Sequence, residues 1–196
     1  MRLISLFLLA GALLSATPLT TQVTLANAGN PGVIDSNNFY VGPYTLTING
    51  WNVAALCVDF NDESYIGSTW TAYLSQVGGD ISDTYRPNDA VQYEEEAYLY
   101  SLITQPGADR IDIQHAAWAI TDPSFTADSA AQVYVTQAQN NYKSIDFSGY
   151  ELVSSTTSPH QQEYLIASPE PASLALFATG ALLAGIGLVR RRRASN

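Results

Sequence analysis

The feature that most limits what this chain can build is the stretch from Ala172 to Val189. It carries no charged residue and ends against four consecutive arginines, Arg190, Arg191, Arg192 and Arg193. Leucines and Phe177 supply its bulk, with Ala and Gly between them. An uncharged apolar run of about 18 residues is at the lower limit of what crosses a bilayer core. Only a helix satisfies its own backbone there, so the run predicts a transmembrane helix over 172–189. Gly180, Gly185 and Gly187 are compatible with that setting. A helix buried in a protein core has no need of four arginines at its end, whereas the positive-inside bias holds such a cluster on the cytoplasmic side. At the other terminus Arg2 precedes an apolar core from Leu3 to Leu14 and then small residues, the pattern of a secretory signal peptide. Ala26-Asn27-Ala28 fits a small-x-small cleavage site, so the leader is assigned to 1–28, with a cut after Ala16 as the second choice. What remains to fold, 29–168, has the length of one domain.

Removing both ends makes the charge lopsided. Of the 8 basic residues only Arg86, Arg110 and Lys143 lie between them, against all 18 acidic residues except Glu170. Such a surface repels nucleic acid and anionic membranes, and suits an extracellular protein or one that meets cations or amines. One cysteine, Cys57, serves the whole chain, so no intramolecular disulfide forms. In an exported protein a lone cysteine is either a reactive or intermolecular thiol or a small buried hydrophobe.

Pro169-Glu170-Pro171, the apolar run and the arginine cluster follow one another in the order of the PEP-CTERM sorting signal, which the segment 169–193 resembles. The resemblance implies a Gram-negative bacterium and export machinery. It also implies an exosortase acting near Pro169-Glu170-Pro171, a passing attachment to the inner membrane through the C-terminal helix, and a final place at the cell surface or in the extracellular matrix.

Within 29–168 the hydrophobic periodicity changes character along the chain. Tyr44, Leu46 and Ile48 alternate with threonines, Asn49-Gly50 signals a type I′ turn, and Trp51, Val53 and Ala55 resume the alternation as a hairpin running on through Cys57. Helices are predicted after Asp89, with Glu94 to Glu96 in early turns where negative charge suits the dipole, after Asp109 up to Pro123, and over the segment beginning Ser129. Two strand-like runs follow Ser144. Strands, then helices, then strands argue for a single α+β domain: a β-hairpin or small sheet plus a short helical bundle, flanked by the signal helix and the transmembrane helix.

Leu56-Cys57-Val58-Asp59-Phe60 and Ile113-Gln114-His115-Ala116-Ala117-Trp118 together resemble the thioester domains of bacterial adhesins. There a strand Cys is cross-linked to the Gln of a Gln-x-Ala-x-Trp segment opening a helix. The resemblance implies a Cys57–Gln114 thioester, with Ala116 and Trp118 in the other motif places. Ile113 stands where the family usually has Thr, and Ala117 where it has a bulky aliphatic. A thioester is a strong acyl donor because thiolate leaves readily, and it can acylate an amine on a surface or matrix macromolecule. Trp118, Tyr98 and Phe60 are expected to shield it. His115 has the chemistry of a proton shuttle, although a lone His on a helix is more often a packing or surface residue.

Other chemistries fit less well. Cys57, His115 and Asp112 can be drawn as a hydrolase triad, without a local motif to support it. Asp59, Asn61 and Glu63 begin like a calcium loop, but Ser64 replaces the sixth-place Gly. Two His and one Cys give no zinc spacing, and no phosphate loop or dinucleotide fingerprint is present. The resulting expectation is a non-enzymatic protein of attachment or matrix assembly, without metal or cofactor and without a nucleic-acid partner. The alternative is a non-covalent structural matrix protein.

Overall fold

The computed structural model describes residues 20–28 and 34–168. Six strands, β1 (Thr20–Asn27), β2 (Tyr44–Ile48), β3 (Trp51–Cys57), β4 (Thr69–Gln76), β5 (Tyr150–Ser155) and β6 (Tyr164–Ala167), close into an antiparallel barrel in the order β1-β2-β3-β6-β5-β4. Three helices, α1 (Ala90–Ile103), α2 (Arg110–Thr121) and α3 (Ser129–Asn141), lie in sequence between β4 and β5.

This corrects the expected α+β arrangement of a hairpin or small sheet beside a helical bundle. The sheet is larger and closed, because β1 falls inside the segment the sequence assigns to the leader and pairs on both sides. Val23 faces Ile48 of β2 and Trp70 of β4. The flanking signal and transmembrane helices are no part of the architecture described. Residues 1–19 and 172–189 lie outside the described residues, and among those described no helix is long and apolar enough to cross a membrane.

Burial follows from which strands the helices cover. β1 alternates exposed and buried positions, as expected of a strand with one wet face. β3, β6 and β5 are buried on both faces where the helices lie over them, which is why their sequences read as apolar runs such as Ala54-Ala55-Leu56-Cys57-Val58. Leu56, Leu152 and Leu165 pack outward among α1, α2 and α3. Cys57, Val153 and Tyr164 pack inward with Leu25, Leu46 and Trp70. Trp118 of α2 is buried in this inner cluster, and Ile111 of the same helix packs against it.

Local signals explain the connections. Asn49 and Gly50 both have positive φ, 52° and 82°, as a type I′ hairpin requires. Asp109 caps α2 by accepting from the Asp112 N–H, and Asp128 caps α3 by accepting from the Ala130 and Ala131 N–H groups. Asp89 precedes α1 without a side-chain cap.

The acidic run of α1 is the second correction. No acidic residue lies in its first turn, and Glu96 is completely buried in mid-helix, with neither carboxylate oxygen hydrogen-bonded. The i, i+3, i+4 spacing puts it on one face with Tyr93 and Tyr100, and that face meets the barrel. Glu163, equally buried, is by contrast fully engaged. It accepts from Tyr93 Oη at 2.5 Å, Ser154 Oγ at 2.5 Å and the Tyr85 N–H at 3.0 Å. Arg86 reaches it at 3.6 Å, and Asp59 at the same distance.

Burial pushes the Glu96 carboxyl well above its ordinary value, Arg86 opposing and Glu95 and Glu163 adding to the rise. The group is therefore neutral in the fold and ionised in the unfolded chain above about pH 4.5. Unfolding then releases a proton, so this group's contribution to stability falls as pH rises from that value. Its slope is about 1.4 kcal/mol per pH unit. Urea unfolding of Glu96→Gln is expected to show a shallower decline between about pH 5 and 7 than the native chain, by that amount. An identical slope would show that Glu96 is ionised in the fold.

Candidate functional site

Cys57 closes β3, opposite Tyr164 of β6, and its side chain is completely buried. Its Sγ donates to the Asp59 carbonyl at 3.0 Å. Burial pushes the thiol up to about 12, against the indole N–H of Trp118 and the Asp59 backbone, which pull it down. The resting sulfur is a protonated thiol.

Gln114 stands in the second turn of α2, itself fully buried, and its Nε2 donates to the Cys57 carbonyl at 2.6 Å across 57 residues of sequence. Its Oε1 accepts no hydrogen bond. The amide rests on Gly42: a Cβ added there would lie 2.9 Å from Gln114 Oε1 and 3.4 Å from Ile103 Cδ1. Trp118 is one turn beyond Gln114 on the same helix face. Its Nε1 is also buried and faces the Cys57 thiol closely enough to lower the thiol's pKa, although not in standard hydrogen-bond geometry. The structure thus brings Cys57, Gln114 and Trp118 together.

The remaining motif residues have other neighbours. Ala116 packs on the helix side of the barrel, away from the thiol. His115 Nε2 meets Asp35 Oδ2 at 2.9 Å, and the imidazole stacks on Trp118 with ring centres 5.7 Å apart. Asp35 Oδ1 accepts from the Asn37 and Phe39 N–H groups at 2.8 and 2.9 Å. Burial pushes the Asp35 carboxyl up, but the Phe39 N–H, His115 and the Asn37 N–H outweigh it and hold it below its ordinary value. The hydrolase drawing is not the arrangement found. The imidazole pairs with Asp35 rather than Asp112, and the thiol bonds to a backbone carbonyl.

Trp118 and Phe60 form the aromatic wall, with centroids 5.2 Å apart, and Phe39 and Phe125 complete it at 6.2 and 5.4 Å from Trp118. Tyr98 packs with the helices instead. Tyr44 and Tyr164 take the inner positions beside Cys57, their rings 5.5 Å apart. Outside the wall opens a cleft of about 360 Å³, floored by Phe39, Tyr44, Phe60 and Trp118 and rimmed by Asp62 and Glu63.

Asp59, Asn61 and Glu63 do not converge on a cation. Asp59 pairs with Arg86, Asn61 donates to Asp122, and Glu63 accepts from Tyr65. Among the described residues no group of three or more His, Cys, Asp or Glu is placed to hold a metal. Pro169, Glu170, Pro171 and Arg190 to Arg193 lie outside the described residues.

Gly42, Asp35, Phe39, Phe125, Tyr44 and Tyr164 are site residues that the sequence did not single out. Only Gly42-Pro43-Tyr44, a turn signal running straight into a strand, carried a local hint. No family model, curated protein or solved structure matches the chain.

The close approach at Gly42 gives a test of the amide's seat. Gly42→Ala is expected to cost about 1–3 kcal/mol in urea unfolding, because the added methyl must displace a buried, hydrogen-bonded amide. A neutral Gly42→Ala would show that Gln114 has room to move.

Proposed function

We propose that this chain is an exported bacterial surface or matrix protein whose barrel domain attaches covalently to a partner through a thioester between Cys57 and Gln114. The observation that carries the reading is the placement of the Gln114 side-chain amide on Cys57, at 2.6 Å from its carbonyl, with both residues completely buried beside Trp118. The terminal segments support the location: the apolar leader and the Pro169-Glu170-Pro171 tail with its apolar run and arginines are together an export and sorting address.

The chemistry follows from the groups present. After turning away from the Asp59 carbonyl, Cys57 Sγ attacks Gln114 Cδ. The Cδ–Nε2 bond breaks, the thiol proton passes to nitrogen, and ammonia leaves; no oxidant or reductant is required. Charge that builds on Gln114 Oε1 during the attack needs a donor, and at rest this oxygen accepts no hydrogen bond. The product is shielded from water by Trp118, Phe60, Phe39 and Phe125. An acceptor amine entering by the cleft would pass the carboxylates of Asp62 and Glu63, which favour a cation, before reaching the aromatic floor. Its attack on the acyl carbon would form an amide and return the thiol to Cys57. His115, held by Asp35, stacks on Trp118 behind the cleft lining and has the chemistry to relay the proton that the amine sheds.

One observation favours the second reading, a non-covalent matrix protein. The same contacts also serve as a structural lock, with the thiol on the Asp59 carbonyl and the amide nitrogen on the Cys57 carbonyl.

Intact mass separates the two. Protein produced with its own leader in a Gram-negative host is expected to fall about 17 Da below its sequence mass through loss of ammonia. Cys57→Ala and Gln114→Ala are expected to show no deficit. Methylamine should then add to the native chain and expose a thiol that alkylates in denaturant. A full sequence mass with Cys57 freely alkylated in denaturant would establish the non-covalent reading.

A further inference from the structure

The sequence offers two places where an export leader could be cut, and the fold distinguishes them. The better sequence match, Ala26-Asn27-Ala28, lies at the end of β1. Cutting there discards the whole strand. β1 is hydrogen-bonded along both edges, from Val23 through Asn27 against β2 and from Thr20 through Thr24 against β4. Its loss would open the barrel and leave two bare strand edges, which invite pairing with other chains. Val23 and Leu25, 0 and 1% exposed, would leave the inner core. The turn before β4 would lose both of its anchors, Leu25 N–H to the Ser68 carbonyl at 3.0 Å and Gly67 N–H to the Leu25 carbonyl at 2.8 Å. Asn49 in the β2–β3 turn would lose its bond from Thr21 Oγ1 at 2.9 Å. The cleft beside Trp118 would lose Leu25 and Ala28 from its lining.

We infer that the leader is cut after Ala16, that the mature protein begins at Thr17, and that β1 is retained to close the barrel. The inference rests on the export reading above. Ser15 and Ala16 are the small residues that follow the apolar core Leu3–Leu14, and a leader of about 16 residues is at the short end of the usual range. The chain then leaves three residues, Thr17, Pro18 and Leu19, before the strand begins at Thr20.

The test is the N-terminal sequence of the full chain produced with its own leader in a Gram-negative host, read separately on cytosolic, envelope and secreted fractions. Thr17 in the envelope or medium is the expected result, and Gly29 overturns the inference while leaving export intact. An unprocessed Met1 confined to the cytosol overturns the export reading and this inference with it. Two variants guard against misreading. Ala16→Tyr places a bulky ring at the cut and is expected to accumulate precursor. Ala26→Lys, at an exposed position of β1, spoils the downstream site and is expected to leave processing unchanged. The reverse pattern, with Ala26→Lys blocking maturation, overturns the inference.

Discussion

The buried carboxylate of Glu163 ties the two halves of the molecule together. It sits just before β6 and receives hydroxyls from Tyr93 on α1 and Ser154 on β5, while Arg86 bridges from it to Asp59 beyond β3. Arg86 also donates to the Val58 carbonyl at 3.4 Å, and the Val58 N–H bonds to the Glu163 carbonyl at 3.0 Å. Burial pushes the Glu163 carboxyl up, while Ser154, Tyr93, the Tyr85 N–H and Arg86 act against that rise. Removing any one donor leaves a desolvated acceptor short of a partner, which costs far more than the bond itself contributes in water. This cluster fixes where β3 ends. The end of β3 fixes Cys57, and so the candidate site is positioned by a carboxylate that precedes a different strand.

Against that frame the Cys57–Gln114 pair is held by opposite tendencies. The thiol is kept neutral by burial, and the amide is only half satisfied, with its nitrogen bonded and its oxygen empty. A buried acceptor without a donor is destabilising by about 1–3 kcal/mol. Packing therefore overrides the preference of the amide for water, and it does so where Gly42 leaves no side chain in the way. Trp118, packed against Phe60, covers the seam between Cys57 and Gln114, and Asp62 and Glu63 line the cleft beside it.

Much of the local structure was readable from residues alone, because its causes are local. Asn49-Gly50 specifies its turn through two positive φ values, and Asp109 and Asp128 cap helices where short polar side chains precede apolar periodicity. The motif resemblance pairs Cys57 with Gln114, and the contact found runs from the Gln114 amide nitrogen to the Cys57 backbone carbonyl. Closure of the barrel was not readable. Thr20–Asn27 follows directly on an apolar leader and ends in Ala-Asn-Ala, so its alternation is masked by a stronger pattern of the same residues. Thr69–Gln76 alternates Trp70, Ala72 and Leu74, but its partners β1 and β5 are tens of residues away on either side. Glu96 reads as a solvent-facing charge in an acidic run, and only the tertiary packing of α1 turns it inward. Asp35 as the partner of His115 is separated from it by 80 residues, with no motif to announce it.

The three tryptophans are distributed so that the chain carries its own optical probes. Trp51, at the tip of the β2–β3 hairpin, is 74% exposed, whereas Trp70 and Trp118 are 4 and 2% exposed. A soluble quencher would silence the first and spare the other two, so the remaining emission comes from the barrel interior. Trp70 lies near Tyr164 and Trp118 against His115, Phe60 and Phe125 beside the thiol. The colour and lifetime of that residual light are therefore a direct readout of whether the enclosure around Cys57 is dry or has let water in.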